Sequence, residues 1–397
     1  MMRMEPCGAL GPRAARKEEE RMKNGPLAAF LAVLLLCAEA TAESRVRIDE
    51  TNFPDAAFRA YVETLDQDGD GFLTQTERNA VTYIDVSGSA IEDLTGLAYF
   101  PALEVLDCSH NALTALDMAK HPKLSALYCY HNALTSLNVS GNPALTLLDC
   151  DDNSLISLDV THNAALTDLY CQNNQLTSLD TTANPALIYL DCDGNALTGL
   201  DVTRNPALSV LECSRNELTA LDVTNNPVLD ILECYGNALT ALDTARNPQL
   251  IALECWDNAL TSLEVTNNPE LIVLVCYDNS LTALDTTHNP ELMVLECHGN
   301  KLMSLDVTRN PGLTNYSFSP QTPEALVPQC AEERWQAELS ALIDGWANVS
   351  GVSVSGAAWE DGLVVWDDAR VQPTVAYQYE TGMEPMKVTL TLLSGCE

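Results

Sequence analysis

The residues best equipped for chemistry are the twelve from Asp66 to Glu77, which read Asp-Gln-Asp-Gly-Asp-Gly-Phe-Leu-Thr-Gln-Thr-Glu. Acids at alternate positions, a glycine after the third and a closing glutamate are what a loop needs to wrap a hard cation in oxygen. Asp66, Asp68 and Asp70 offer carboxylates, Phe72 a backbone carbonyl, Thr74 a contact made directly or through water, and Glu77 a bidentate carboxylate, while Gly71 permits the sharp bend. The cofactor this pattern predicts is calcium; the competing reading is a relic loop that caps its neighbour without metal. With a single loop of this kind, a structural role is expected rather than a sensory one. Flanking helices must position it. The spacing predicts one over 54–65, with Phe58, Tyr61, Val62 and Leu65 on one face, and a shorter one over 74–81.

No other catalytic constellation stands out. The chain has no nucleophile elbow, no phosphate loop and no histidine-rich metal set. Its six histidines, His110, His121, His131, His162, His288 and His298, scatter over several sequence columns. Paired carboxylates alone do not make a glycosidase without a pocket, so the chain reads as a non-enzyme.

What dominates is a period. Cys108, Cys129, Cys150, Cys171, Cys192, Cys213, Cys234, Cys255, Cys276 and Cys297 recur every 21 residues, and an asparagine stands three residues after each, from Asn111 to Asn300. The unit is LxxLxCxxNxLTxLDVTxNPx, the signature of a leucine-rich repeat with cysteine at the last apolar place of the strand. Each turn contributes one short strand, such as Leu211-Glu212-Cys213, to a parallel sheet, with Leu211 and Cys213 pointing inward and Glu212 outward. A thiol is a small polarizable filler for a narrow core. The leucine columns leave the ladder cysteines no partner across the coil, so packing is expected, neither disulfides nor metal. The asparagine is expected to satisfy backbone groups of adjacent turns.

The outward positions vary while the core positions do not, and they define the candidate binding face: Tyr128, Tyr130, Tyr170, Tyr189, Glu212, Glu233, Tyr235, Glu254, Trp256 and Tyr277. Aromatics mixed with carboxylates on a concave sheet suit a protein or glycan ligand; the plainer reading is that they pack on one another as cross-strand pairs. A second acidic column (Asp117, Asp159, Asp180, Asp201, Asp222, Asp243, Glu264, Asp285, Asp306) is read as bonding local backbone.

The open ends of such a stack need caps. At the front, Ile84-Asp85-Val86 reads as the first strand; at the back, Phe318 takes the cysteine place. Beyond it a helix is expected over 331–342. Strands are then expected around Val352–Val354, Leu363–Trp366, Val375–Tyr379 and Lys387–Leu392, forming a small β domain. Cys330 and Cys396 bracket that domain outside the ladder and are the candidate disulfide.

The 397 residues carry 20 Lys+Arg against 56 Asp+Glu, a net charge of -36, which excludes nucleic acid and anionic lipid as partners. Arg21 and Lys23, the apolar run Leu27–Leu36 and Ala40-Thr41-Ala42 have the order of a secretory signal peptide, and no span long enough for a membrane is predicted. A lipoprotein reading through Cys37 conflicts with Leu36, where a small residue is wanted. The run Lys17–Arg21 can be encoded by the purine-rich codons of a bacterial ribosome-binding site, which would put the true start at Met22. The expected divisions are 1–42 signal peptide, 43–83 EF-hand-like cap, 84–318 repeats and 319–397 C-terminal β-rich domain with a short helix.

The units from Leu124 to Pro311 resemble the 21-residue cysteine-ladder repeats of internalin-family surface proteins. Asn52-Phe53-Pro54-Asp55-Ala56-Ala57-Phe58-Arg59, with the calcium-type loop and Ile84-Asp85-Val86-Ser87, resembles the front of many internalin-like bacterial proteins. Val375-Ala376-Tyr377-Gln378-Tyr379-Glu380-Thr381-Gly382 and Met386-Lys387-Val388-Thr389-Leu390 resemble their C-terminal β modules. The resemblance implies a helical front cap, a right-handed curved coil and a role in recognition or adhesion. It departs at the end: Glu397 is reached without an LPxTG-type sorting signal, so secretion rather than wall anchoring is expected. The expected function is thus a secreted recognition or adhesion protein with an extracellular protein or glycan partner; the alternative is a self-assembling extracellular scaffold.

Overall fold

The computed structural model describes residues 45–330, 334–343, 346–360, 363–366, 370 and 372–395. The repeat unit folds as its residue types require. Twelve three-residue strands, from Tyr83–Asp85 to Asn315–Ser317, form one parallel sheet in chain order. Its register is the sequence period: Leu190 pairs with Leu211 and Leu211 with Leu232, so each inward residue stacks on its own kind. The chain is a leucine-rich-repeat solenoid. Leu211, Cys213, Leu218 and Val223 of one coil are fully buried, as are their counterparts in the neighbouring coils. All ten ladder cysteines are free and buried.

Two amide ladders hold successive coils together. In the expected one, Asn216 donates through Nδ2 to the carbonyls of Cys192 (3.0 Å) and Cys213 (3.2 Å), while its Oδ1 accepts from Leu197 N–H (3.0 Å). The same bonds recur in coil after coil, and Gln321 makes the last rung, donating to Cys297 and Phe318 carbonyls and accepting from Leu302 N–H. The second ladder was not read from sequence. The asparagine before proline is buried, and Asn226 Nδ2 donates to the carbonyls of Val202 (3.0 Å) and Asn205 (2.8 Å). Both ladders convert side-chain amides into substitutes for the sheet bonds that a tight coil cannot make.

At the front, helix α1 (Ala56–Glu63) and helix α2 (Gln75–Ala80) flank the acidic loop. Asp55 caps α1 through the N–H groups of Ala57 and Phe58, and its other oxygen accepts from Glu92 N–H, which ties the helix to the first coil. Phe53, Phe58 and Phe100 are fully buried against that coil. At the back, Phe318 is fully buried in the cysteine position.

The C-terminal part is a seven-stranded sheet in the order Val349–Ser355, Thr374–Glu380, Pro385–Gly395, Glu324–Cys330, Arg334–Glu338, Leu363–Trp366, Ala358–Glu360. It leans on the last coil through Gln321 N–H to Lys387 O (3.0 Å) and Tyr377 Oη to Met303 O (2.9 Å). Within the described part of 331–342, where a helix is expected, most residues form a strand. Arg334–Glu338 pairs antiparallel with Leu363–Trp366, and only Leu339–Leu342 is helical. Trp335, Ala337 and Leu339 are buried and Gln336 and Glu338 exposed; this period-two alternation is ambiguous in a short segment until pairing decides it. The candidate disulfide falls outside what is described: Cys396 is beyond the described residues, as is the Cys330 side chain.

Candidate binding face and candidate metal loop

Each coil shows three outward residues on the concave face: the first and third of the strand and the one after the cysteine. In the last of these columns, Tyr235, Trp256, Tyr277 and His298 form a continuous stack. Ring centroids lie 4.2, 4.9 and 4.5 Å apart with interplanar angles of 8°, 14° and 10°. The separations match the strand repeat of about 4.8 Å, so the sheet itself sets the stack. The guanidinium of Arg215 lies 5.4 Å from the Tyr235 centroid, at the end of the row. Ring faces are therefore turned toward one another along the solenoid, and the rims are what the concave surface presents.

The other expected face residues take their places beside this row. Tyr189 stacks obliquely on Tyr170 (4.8 Å) and donates to Glu212 Oε1 at 2.5 Å. Burial, and then this bond to a carboxylate, push the Tyr189 phenol well above its ordinary range. Glu233 and Glu254 pair directly across neighbouring strands. Burial, reinforced by Glu254 and Glu212, pushes the Glu233 carboxyl up to about 7. Tyr128 closes its strand half-buried between Asp107 and Asp149. Tyr130 meets His110 edge-on at 5.0 Å.

Three further features mark this face, the first two of them not singled out from sequence. Arg215 sits at φ 51°, a left-handed position that other coils fill with glycine, aspartate, asparagine or histidine; a long side chain there was the available signal. Ile251, Ile272 and Met293, each just before its strand, make an apolar row on three successive coils beside those three columns, with Ile251 and Met293 exposed. Finally, Asp149, Asp151, Asp191 and Asp193 crowd around Tyr170 and Gln172. The outer acidic column behaves as expected: Asp201 Oδ1 accepts from Thr203 N–H (2.9 Å) and its hydroxyl (2.6 Å), and Asp159, Asp180, Asp222 and Asp285 do the same one or more coils away.

In the front loop, oxygens of Asp66, Asp68 and Asp70 lie within 4.8 Å of one another, the only such group of three among the described residues. Gly71 has φ 81° at the bend. Phe72–Leu73 pairs antiparallel with Val46–Arg47. Glu77 is turned to the protein: it accepts from Gln67 N–H, Thr74 N–H and Thr74 Oγ1, each at 2.8 Å, and forms a capping box with Thr74. Arg45 Nη1 lies 2.7 Å from Asp70 Oδ2. The three aspartates thus converge, and Glu77 belongs to the helix cap that shapes the loop.

No protein-family model matches the chain, and no curated protein matches its sequence. Among solved structures it is similar to the functional domain of internalin J from Listeria monocytogenes, which includes a cysteine ladder: 25% identity over 89% of this chain and 99% of that one, TM-score 0.56. It shares its fold with a leucine-rich-repeat protein of Leptospira interrogans (24% identity, 58% of this chain and 64% of that one, TM-score 0.54). It shares it also with YopM, a leucine-rich effector protein from Yersinia pestis (23% identity, 66% and 69%, TM-score 0.53). Among the described residues no helix is long and apolar enough to cross a membrane.

Proposed function

We propose that this protein is a secreted recognition or adhesion protein that binds a protein ligand on its concave face and is not an enzyme. The observation that carries this reading is the aromatic stack, a rigid row of large amphipathic side chains on the outward side of an otherwise repetitive core. A sugar ring stacks on an exposed aromatic face, and here the inner faces are occupied by neighbouring rings. Rims with polar ends, flanked by carboxylates and an apolar row, suit the mixed chemistry of a protein surface. The mature chain should therefore retain a protein from a display of extracellular proteins and leave a glycan array blank. Trp256→Ala should weaken that capture by about 2 kcal/mol, roughly 30-fold, with melting nearly unchanged. Equal capture by the Trp256→Ala variant would place the site elsewhere.

For the front loop the reading is a structural calcium site built on Asp66, Asp68 and Asp70. Calcium would supply charge compensation for three converging carboxylates and lock the cap on the first coil. A ligand bound only by the folded state raises stability by mass action. Melting should thus rise with added calcium in the wild type and stay put in Asp66→Ala/Asp68→Ala; equal wild-type melting in calcium and in chelator excludes the site.

A further inference from the structure

Asp151, Gln172 and Asp193 follow one another in the column after the cysteines, one coil apart, with Asp149 and Asp191 in the column beside them. Asp191 is 7% exposed and the other three acids are half-buried. Their donors are backbone N–H groups: Asp151 N–H to Asp149 (3.4 Å), Gln172 N–H to Asp151 (3.2 Å), Asp193 N–H to Asp191 (3.1 Å), and Ser214 N–H to Asp193. Gln172 Oε1 is buried and accepts nothing from the protein. Arg215, exposed and 5.4 Å from the Tyr235 centroid, also bears on Asp193, but no salt bridge reaches Asp149, Asp151, Asp191 or Asp193 among the described residues. The result is an acidic patch in which oxygen acceptors outnumber donors, on the concave face of a chain of net charge -36. A buried carboxylate without a counter-charge is costly, and a partner that brings one recovers that cost.

We propose that the concave face docks a cationic, extended segment of a partner protein, with an arginine or lysine head seated between Asp151 and Asp193. This rests on the concave-face reading above and names its partner class. The occupant is a polypeptide and not a lone metal ion, because these acids do not converge: the front loop holds the only three described acids with oxygens within 4.8 Å. Acids spread along the solenoid fit donors spread along a chain. The apolar row Ile251, Ile272 and Met293, at the entry to the strands of later coils, offers contact area for apolar residues of the same segment.

The probe is a synthetic peptide alternating arginine and leucine, with a twin in which citrulline replaces arginine, titrated into the full mature chain. The arginine peptide should bind with affinity that falls as salt rises, and the citrulline twin about tenfold or more weaker. Asp151→Asn/Asp193→Asn should lose about tenfold, whereas Asp180→Asn/Asp201→Asn, the same charge change on the outer face, should bind as wild type does. Both variants are checked for unchanged folding by circular dichroism. Equal loss in the two double variants, or equal binding of the citrulline twin, overturns the proposal. If Trp256→Ala weakens binding and Asp151→Asn/Asp193→Asn does not, the concave face stands and the cationic class falls. If neither matters, the concave reading falls with it.

Discussion

Three of the ladder cysteines combine two roles. As a filler each side chain is fully buried, and as a weak donor it reaches the next strand: Cys150 Sγ to Tyr170 O at 3.3 Å, Cys171 to Asp191 O at 3.4 Å, Cys192 to Glu212 O at 3.5 Å. Burial pushes every ladder thiol far up, Cys297 to about 12. Since the thiolate is the reactive form, the ten ladder cysteines should resist a thiol reagent in the folded protein and react on unfolding. Stoichiometric labelling under native conditions, or ladder disulfides in a mass map, would contradict the packing. Such residues were legible because a solenoid demands the same type in the same slot of every coil. The direction of a side chain was not legible in the same way. Tyr235, Trp256 and Tyr277 could be placed in one column from spacing alone, yet whether they offered faces or rims depended on rotamers that only packing sets. Glu77 likewise matched its motif while its carboxylate turned to the helix cap.

At the scale of the coil, the second asparagine ladder has a defect that the sequence explains once the contact is known. Asn205, Asn268 and Asn310 each accept through Oδ1 from the hydroxyl of a threonine one coil back, Thr181 (3.0 Å), Thr244 (3.0 Å) and Thr286 (2.8 Å). Where that position is valine or methionine, as for Asn142, Asn163, Asn184, Asn226, Asn247 and Asn289, the buried Oδ1 has no partner. The alternation of LDV with LDT in the repeats is thus an alternation of unsatisfied and satisfied rungs. Thr244→Val should orphan Asn268 and cost about 1–3 kcal/mol, whereas Val202→Thr should give Asn226 its donor and be neutral or stabilising by up to about 1 kcal/mol. Urea midpoints at unchanged slope would read both; a Val202→Thr chain less stable than wild type would show that the hydroxyl finds no partner there. The repeat elements were legible because ten copies agree. The 334–338 strand was not, because one short amphipathic segment fits either period and its pairing partners lie on distant parts of the chain.

For the whole molecule, the two acidic populations should give opposite responses to pH. On the concave face, burial first and neighbouring acids second push Asp149 and Asp193 up to about 6, Asp191 and Glu233 to about 7, and Asp151 to about 8. A carboxyl whose pKa is raised on folding binds more protons folded than unfolded. Its ionisation therefore costs stability, and that cost grows as pH rises from the unfolded value near 4 through the folded values. On the outer face, threonine hydroxyls and N–H groups hold Asp159, Asp180, Asp201, Asp222, Asp285 and Asp306 below the usual range. Their contribution is present above the unfolded pKa and is lost as pH falls through their folded values. Self-repulsion of an acidic chain adds to the first trend. Stability should then peak in mildly acidic solution, with Tm falling between about pH 5 and pH 8 at low salt. Asp151→Asn/Asp193→Asn removes two of the five raised groups and should flatten that fall; a Tm that is level or rising over the same range in the wild type would mean that the concave acids are solvated and their strain is not there. A cationic partner would supply the missing counter-charge at the upper end of this range, so the pH at which the free solenoid is least comfortable is the one at which its concave face has most to gain from binding.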